Sequence, residues 1–284
     1  MEKIRIITDS ASDIPNNDSI PANLSIMPLT IFFGEEEYLD GKTITNEEYY
    51  NKLTGGDILP KTSQVTPYDF EQEIQKAIDN GEKVIVITLS SGLSGTYQSA
   101  CIAASNFEKD VAVIDSFMAT VSEQILVKYA LQLVEQGMEY DRIVETLEND
   151  KKKIKLVGPL DTLEYLKKGG RISAAAAVFG SALSIKPIIT LVEGKVEVIA
   201  KARGRRNAIE STLKIIRESE TGIDFDKPYA VGYSGNDRDM LNVFIESSKT
   251  NGNVNIENWP VVSIGSTIGT YAGPDSIIFG YFEK

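Results

Sequence analysis

Hydrophobic positions along this chain recur in two spacings. Val84 to Leu89 is an almost unbroken apolar run rich in β-branched residues, the pattern of a strand buried on both faces of a parallel sheet. Ile4–Thr8 and Val111–Ile114 have the same character, and Ser25–Phe33 is a further strand candidate with Glu35-Glu36-Glu37 as a solvated turn. Between these runs the spacing becomes helical. Thr66 is a good N-cap, Pro67 suits the first helical position and Gly81 ends that helix. Helices are also predicted over Tyr97–Ala104, Val121–Gln136 and Tyr140–Lys152. Alternating strands and helices predict a parallel sheet with helices on its faces.

Beyond residue 155 the pattern changes. Ile188–Val192 and Lys195–Ala202 alternate around Glu193-Gly194 and predict an antiparallel hairpin. Helices over Arg205–Ser219 and Arg238–Lys249 and strands over Tyr229–Tyr233, Val261–Ile264 and Ile277–Phe282 complete an α+β half. Neither an internal repeat nor a low-complexity linker marks the division. The expected organisation is α/β, with an N-terminal α/β domain over residues 1–155 and a C-terminal α+β domain over residues 156–284.

Five stretches carry candidate chemistry. Ser90-Ser91-Gly92-Leu93-Ser94-Gly95-Thr96 lies between a strand and a helix start, where unpaired N–H groups, the helix dipole and glycines can receive an anion. Asp9-Ser10-Ala11-Ser12-Asp13 ends the first strand. Its aspartates either cap the following turn or hold a hard cation such as Mg²⁺. In Lys61-Thr62-Ser63-Gln64-Val65-Thr66-Pro67, capping accounts for Thr66 but leaves Thr62 and Ser63 as ligand-contact candidates. Gly265–Pro274 is a second glycine-rich loop. The small-residue run from Ile172 to Gly180 suits either close helix packing or a wall beside an apolar ligand.

Composition narrows the chemistry. The 284 residues carry a formal charge of −12, which argues against nucleic-acid binding. They include no histidine, which removes Ser-His-Asp and Cys-His nucleophile systems and nearly every zinc site. The single Cys101 excludes an internal disulfide and fits a reducing compartment. With no signal-peptide pattern and no apolar run near the roughly 20 residues of a membrane span, cytoplasmic residence is the expectation. Charge is segregated: residues 151–217 hold 15 basic against five acidic side chains, a local +10 that leaves −22 elsewhere. This is either one basic face for an anionic partner or a basic surface scattered by folding.

The Ser90–Thr96 loop lacks the lysine of a nucleotide P-loop and the final glycine of a hydrolase nucleophile elbow. Bare anion binding is the simpler reading. An acyl hydrolase using Ser94, a phosphotransferase using Asp9 and Asp13, and a lipid-sensing regulatory module are the alternatives.

Taken together, several separated motifs resemble the DegV family of fatty-acid-binding proteins, the lipid subunits of bacterial fatty acid kinase. They are Thr8–Asp13, Thr62-Ser63-Gln64, Ser91–Tyr97, Asp115-Ser116, Leu163–Leu166 through Gly169–Ser173, Ile185–Ile188 and Ile268-Gly269-Thr270. The resemblance spans nearly the whole chain. It implies a two-domain fold with an acyl chain held between and within the domains, and a long-chain fatty acid as ligand with no cofactor of the protein's own. The carboxylate would be held by Thr62, Ser63, Ser94, Gly95 and Tyr271, with Phe179 and Ile188 along the chain. Such a protein is a carrier without its own catalytic centre. ATP and Mg²⁺ would sit on a separate kinase, met through the Arg203, Arg205 and Arg206 neighbourhood. The sequence departs from the family where a histidine followed by Gly-Pro-Gly is common: Tyr271-Ala272-Gly273-Pro274-Asp275 stands there. A tyrosine can donate a hydrogen bond to a carboxylate but brings no imidazolium charge. Val65 replaces a commonly found proline.

Overall fold

A computed structural model describes residues 2–15, 20–172, 184–219, 221–250 and 256–284. In chain order the elements are β1 (Ile4–Asp9), β2 (Leu24–Met27), β3 (Thr30–Phe33), β4 (Glu36–Leu39), α1 (Asn46–Gly55), β5 (Lys61–Ser63) and α2 (Pro67–Asp79). Then come β6 (Lys83–Thr88), α3 (Thr96–Ala104), β7 (Val111–Asp115), α4 (Thr120–Glu135), α5 (Tyr140–Asp150), β8 (Ile154–Pro159) and α6 (Glu164–Lys168). The rest are β9 (Ile185–Val192), β10 (Lys195–Arg203), α7 (Arg205–Arg217), β11 (Ala230–Tyr233), α8 (Asp239–Thr250), β12 (Val261–Ser263), α9 (Ser266–Ala272) and β13 (Ile277–Phe282).

The N-terminal sheet is parallel, in the order β2-β1-β6-β7. Its strands are apolar on both sides because both faces are covered. Ile7, Val84 and Val86 pack with Phe70 and Ile74 of α2 and Ala100 of α3. Ile6, Ile85 and Ile87 pack with Ile125 and Leu126 of α4 and Ile143 of α5. The C-terminal sheet, β10-β9-β8-β13-β11-β12, is antiparallel except for the β11–β12 pair. Glu193 and Gly194 turn the β9–β10 hairpin with φ of 47° and 75°, the paired positive φ values of a type I′ turn.

Pro28 divides the long strand expected over Ser25–Phe33. Proline has no N–H for a ladder, and the chain changes sheets there, β2 joining the parallel sheet and β3 a separate antiparallel sheet ordered β4-β3-β5. The expected acidic turn is partly strand, since Glu36 and Glu37 pair with Phe33 and Phe32. The glycine-rich loop expected over Gly265–Pro274 contains α9.

α4 is the element that joins the two sheets. Thr120 through Val127 are all buried, as expected of a helix covered on every side. One face packs on β1 and β6, while β8, β11 and β13 cover another. The main core therefore runs without interruption from Ile6 and Ile85 through Val121–Val127 to Leu156, Ile189 and Ile278. The opposite face of the C-terminal sheet has its own core, in which Ile188 and Phe279 meet Ile209 and Leu213 of α7 and Phe244 of α8. Among the described residues no helix is long and apolar enough to cross a membrane.

Candidate functional site

A cavity opens where the carboxyl end of β6, the start of α4, the face of β8–β10 and the helices α6 and α9 converge. It is a narrow slot, with about 70 Å³ of room for the centre of a water-sized sphere. Its walls are largely aliphatic, including Leu89, Leu156, Leu166, Ile189, Leu191 and Ile278. Polar side chains gather at one end, where Thr62, Ser94, Arg171 and Tyr271 line it. Thr62, Arg171 and Tyr271 also line an adjoining outer recess with Lys61, Tyr165 and Lys168. That end is the mouth.

β-strand alternation selects Thr62. β5 pairs with β3 so that Thr62 lies opposite Ile31, and Thr62 is half-buried while Lys61 and Ser63 are exposed. Its hydroxyl lies 2.6 Å from the Tyr271 hydroxyl, which the last turn of α9 delivers from the far end of the chain. Ser94 Oγ is 3.0 Å from Thr96 Oγ1 and accepts from the Thr96 N–H at 3.3 Å. The Arg171 guanidinium stacks 4.6 Å above the Tyr271 ring. Its Nε donates to the Leu93 carbonyl at 3.1 Å and its Nη1 to the Gly169 carbonyl at 2.6 Å. One cation thus ties the end of α6 to both the α3 loop and α9.

The loop amides are organised differently from expectation. Leu93 and Ser94 N–H donate to the Ser90 carbonyl, Gly92 N–H to Ser90 Oγ and Ser91 N–H to Asp115 Oδ1. With these donors committed inside the loop, hydroxyls and Arg171 are the polar groups presented at the mouth. Gly95 packs on Gln64: a Cβ there would lie 2.0 Å from Gln64 Oε1, so that side chain would have to shift. Gln64 in turn donates to Ser99 Oγ at 2.8 Å.

Thr62, Ser94 and Tyr271 are therefore brought together, whereas Ser63 faces solvent and Gly95 packs on Gln64. Ile188, expected along the ligand chain, is on the wrong face of β9. Successive strand residues point to opposite sides, so Ile189 and Leu191 line the cavity while Ile188 enters the outer core. Phe179 lies outside the described residues. Arg171 was visible only as part of a Gly-Gly-Arg motif, with no local signal of its place beneath the mouth.

Arg203 is exposed at the end of β10. Arg205 pairs with Asp275 at 2.6 Å and with Asp161 at 3.6 Å, and the exposed Arg206 pairs with Glu210 at 3.1 Å. Lys155–Glu283, Lys168–Glu164 and Lys214–Glu218 are further pairs in the basic segment, so folding neutralises much of its charge locally. Asp275, where the resemblance expects glycine, has a φ of 59°, a left-handed conformation that aspartate tolerates better than most residues.

Behind the cavity sits a buried acidic group. Asp9 accepts from the N–H groups of Ala11 and Leu89, Asp13 from Gly265, and Asp40 from Ser266 and Thr267. Both Asp9 and Asp13 thus cap backbone, and among the described residues no cluster of three or more acidic, cysteine or histidine side chains is arranged to hold a metal ion. Glu123 of α4 accepts from Thr8 Oγ1 at 3.2 Å. Burial pushes Asp9 up to about 7 and raises Asp13, Asp40 and Glu123, with repulsion from neighbouring carboxylates adding to the effect at Asp9, Asp13 and Glu123.

Residues 3–284 match the model of the DegV family of uncharacterised proteins. A DegV domain-containing protein of Caldanaerobacter subterraneus subsp. tengcongensis is 35% identical over 285 residues, covering 100% of both chains. Among solved structures, a fatty-acid-binding DegV family protein of Thermus thermophilus superposes with a TM-score of 0.88 at 32% identity, covering 99% of this chain and 100% of that one. A stearic-acid-binding protein of Eubacterium ventriosum gives 0.86 at 26% identity, covering 100% and 99%.

Proposed function

The chain belongs to the DegV family, and from that premise we propose that it binds one long-chain fatty acid in the cavity, with the carboxylate at the mouth. The observation that carries this is a largely aliphatic lining with Thr62, Ser94, Tyr271 and Arg171 gathered at the end that meets the outer recess. Burying roughly 15 methylenes at about 0.8 kcal/mol each releases on the order of 12 kcal/mol before ordering costs. A buried carboxylate forfeits much of that unless it accepts hydrogen bonds. Three hydroxyls supply them, and the Arg171 guanidinium supplies the compensating charge. Fatty-acid-bound DegV relatives support the assignment by homology.

The protein acts as a carrier. Its carboxylate end opens onto the outer recess with Lys61 and Lys168, where a separate ATP-dependent kinase could reach it, and the Arg203–Arg206 surface nearby is the proposed docking region. With Tyr271 in place of histidine, the mouth holds the carboxylate by hydrogen bonds and offers no imidazole for proton transfer. Mass spectrometry of lipid extracted from the purified protein is expected to show a long-chain fatty acid near one per chain. A chain that is empty and fails to bind added fatty acid overturns the proposal.

Tyr271→Phe isolates the phenol. The ring beneath Arg171 remains while the contact to Thr62 is lost, and fatty-acid affinity is expected to fall about ten- to a hundredfold, the worth of one hydrogen bond to a charged group. Titration calorimetry on the delipidated variant measures this directly.

A further inference from the structure

Tyr271 reaches the mouth on α9, which has only seven residues, and a helix that short depends on outside contacts for its place. Its N-cap, Gly265, brings no capping side chain. The first amides are met instead from the other end of the sequence. Gly265 N–H donates to Asp13 Oδ1 at 2.8 Å, Ser266 N–H to Asp40 Oδ1 and Thr267 N–H to Asp40 Oδ2, both at 3.2 Å. The Thr120 and Thr267 hydroxyls face the same carboxyls, Asp13 and Asp40 respectively. α1 holds the side of the helix. Tyr50 Oη donates to the Ile264 carbonyl at 3.0 Å, and Tyr49 Oη lies 2.9 Å from Thr270 Oγ1. Thr270 Oγ1 itself donates to the Ser266 carbonyl at 2.9 Å, so Tyr49 is the donor to Thr270. An asparagine or serine would cap these amides without a charge. Asp40 is 4% exposed, and among the described residues no cation acts on it. Burying such a carboxyl is costly, while the hydrogen bonds it accepts are stronger than neutral ones. Asp40 follows β4 and donates its own N–H to the Leu29 carbonyl at 3.0 Å. β4 pairs with β3, and β3 sets Ile31 opposite Thr62. The sheet that carries one mouth hydroxyl, Thr62, thus ends in the carboxyl that holds the helix delivering another, Tyr271.

We propose that Asp40 and Tyr49 are positioning residues for the mouth: they set the place of α9, and so the hydroxyl that Tyr271 offers to the ligand carboxylate. This rests on the fatty-acid reading of the cavity and adds to it two residues that do not line the cavity. The Thr62 and Tyr271 hydroxyls are 2.6 Å apart, and a binding group left about 1 Å too loose by its supporting residues loses much of its effect. The influence of Asp40 and Tyr49 on affinity therefore passes through one atom, Tyr271 Oη, and disappears where that atom is absent. A residue that sets only the shape of the cavity wall or the overall stability acts equally with or without it.

The test is a pair of double-mutant cycles, read by calorimetry with hexadecanoic acid on the delipidated full-length chain. Asp40→Asn keeps the shape of the side chain but removes its charge and one of its two acceptors. Tyr49→Phe removes a donor and leaves Thr270 Oγ1 bonded to Ser266. Each is expected to weaken binding about three- to tenfold in the otherwise unaltered chain, the worth of one hydrogen bond. With Tyr271→Phe already present, each should cost less than about twofold. The thermal unfolding midpoint should move by the same amount in both backgrounds, which marks the purely structural part of each change. Affinity losses of equal size with and without the Tyr271 hydroxyl overturn the positioning role. So does unchanged affinity in both Asp40→Asn and Tyr49→Phe, and either result leaves fatty-acid binding standing. Failure of the unaltered chain to bind the acid overturns the underlying function as well. Should Asp40→Asn not fold, the Tyr49→Phe cycle decides the matter.

Discussion

Thr62→Ala combined with Ser94→Ala is expected to weaken fatty-acid binding by roughly two to three orders of magnitude. Each hydroxyl stands at the polar mouth of a largely aliphatic cavity, and hydrogen bonds to a charged group are worth about 1.5–3 kcal/mol apiece. Losing two of them, each near the lower end of that range, gives on the order of 3–4 kcal/mol, about 10²- to 10³-fold in Kd. The fold should tolerate both changes. Thr62 gives up one contact to Tyr271 and Ser94 a short-range contact to Thr96, and neither side chain belongs to a hydrophobic core cluster. Affinity is read by calorimetry, with the thermal unfolding midpoint as the control. A double variant that folds normally and binds within twofold of the unaltered chain removes the carboxylate from this end of the cavity. The two single variants apportion the effect, because the Thr62–Tyr271 pair leaves a hydroxyl behind whichever partner is truncated.

Stability is expected to fall as pH rises from about 5 to 8, the reverse of proteins dominated by surface ion pairs. Asp9 is raised from 3.8 to about 7, and Asp13, Asp40 and Glu123 are raised with it by burial. Between the unfolded and folded values the native state binds more protons than the unfolded chain. Linkage then makes unfolding progressively easier with increasing pH across that window. The stabilisation is complete below about pH 4 and is lost as each group ionises in place. For Asp9 alone, a displacement of about three units corresponds to about 4 kcal/mol. Urea midpoints at pH 5 and pH 8 measure the slope, and a midpoint that is flat or rises over this range contradicts the prediction. Glu123→Gln should flatten it and raise stability at pH 8. The amide keeps an acceptor for Thr8 Oγ1 and removes the charge that Asp9 and Asp13 repel.

The acidic group and the cavity share a cause. Both form where α4 starts between two sheets, and the polar triplet Ser122-Glu123-Gln124 is buried because the helix is covered on every side. In the sequence that triplet carries no sign of its burial. Nothing in its own spacing reveals it, since helix periodicity records polarity and not what packs against it.

Local chemistry made much of the fold legible. The apolar, β-branched runs of β1, β6 and β7 fixed a parallel sheet covered on both faces. Thr66 and Pro67 fixed the start of α2, and Glu193-Gly194 fixed the β9–β10 hairpin. These are decided within a few residues by backbone geometry, capping and side-chain period. The resemblance brought Thr62, Ser94 and Tyr271 forward as one site, but only tertiary structure put the Thr62 and Tyr271 hydroxyls 2.6 Å apart across 209 positions of chain. The same holds for Arg171 over Tyr271, for Ile189 rather than Ile188 at the cavity wall, and for Gly95 against Gln64. Each depends on strand register and on which element closes over which. Those outcomes are set by burying the whole chain at once, so no window of neighbouring residues contains them.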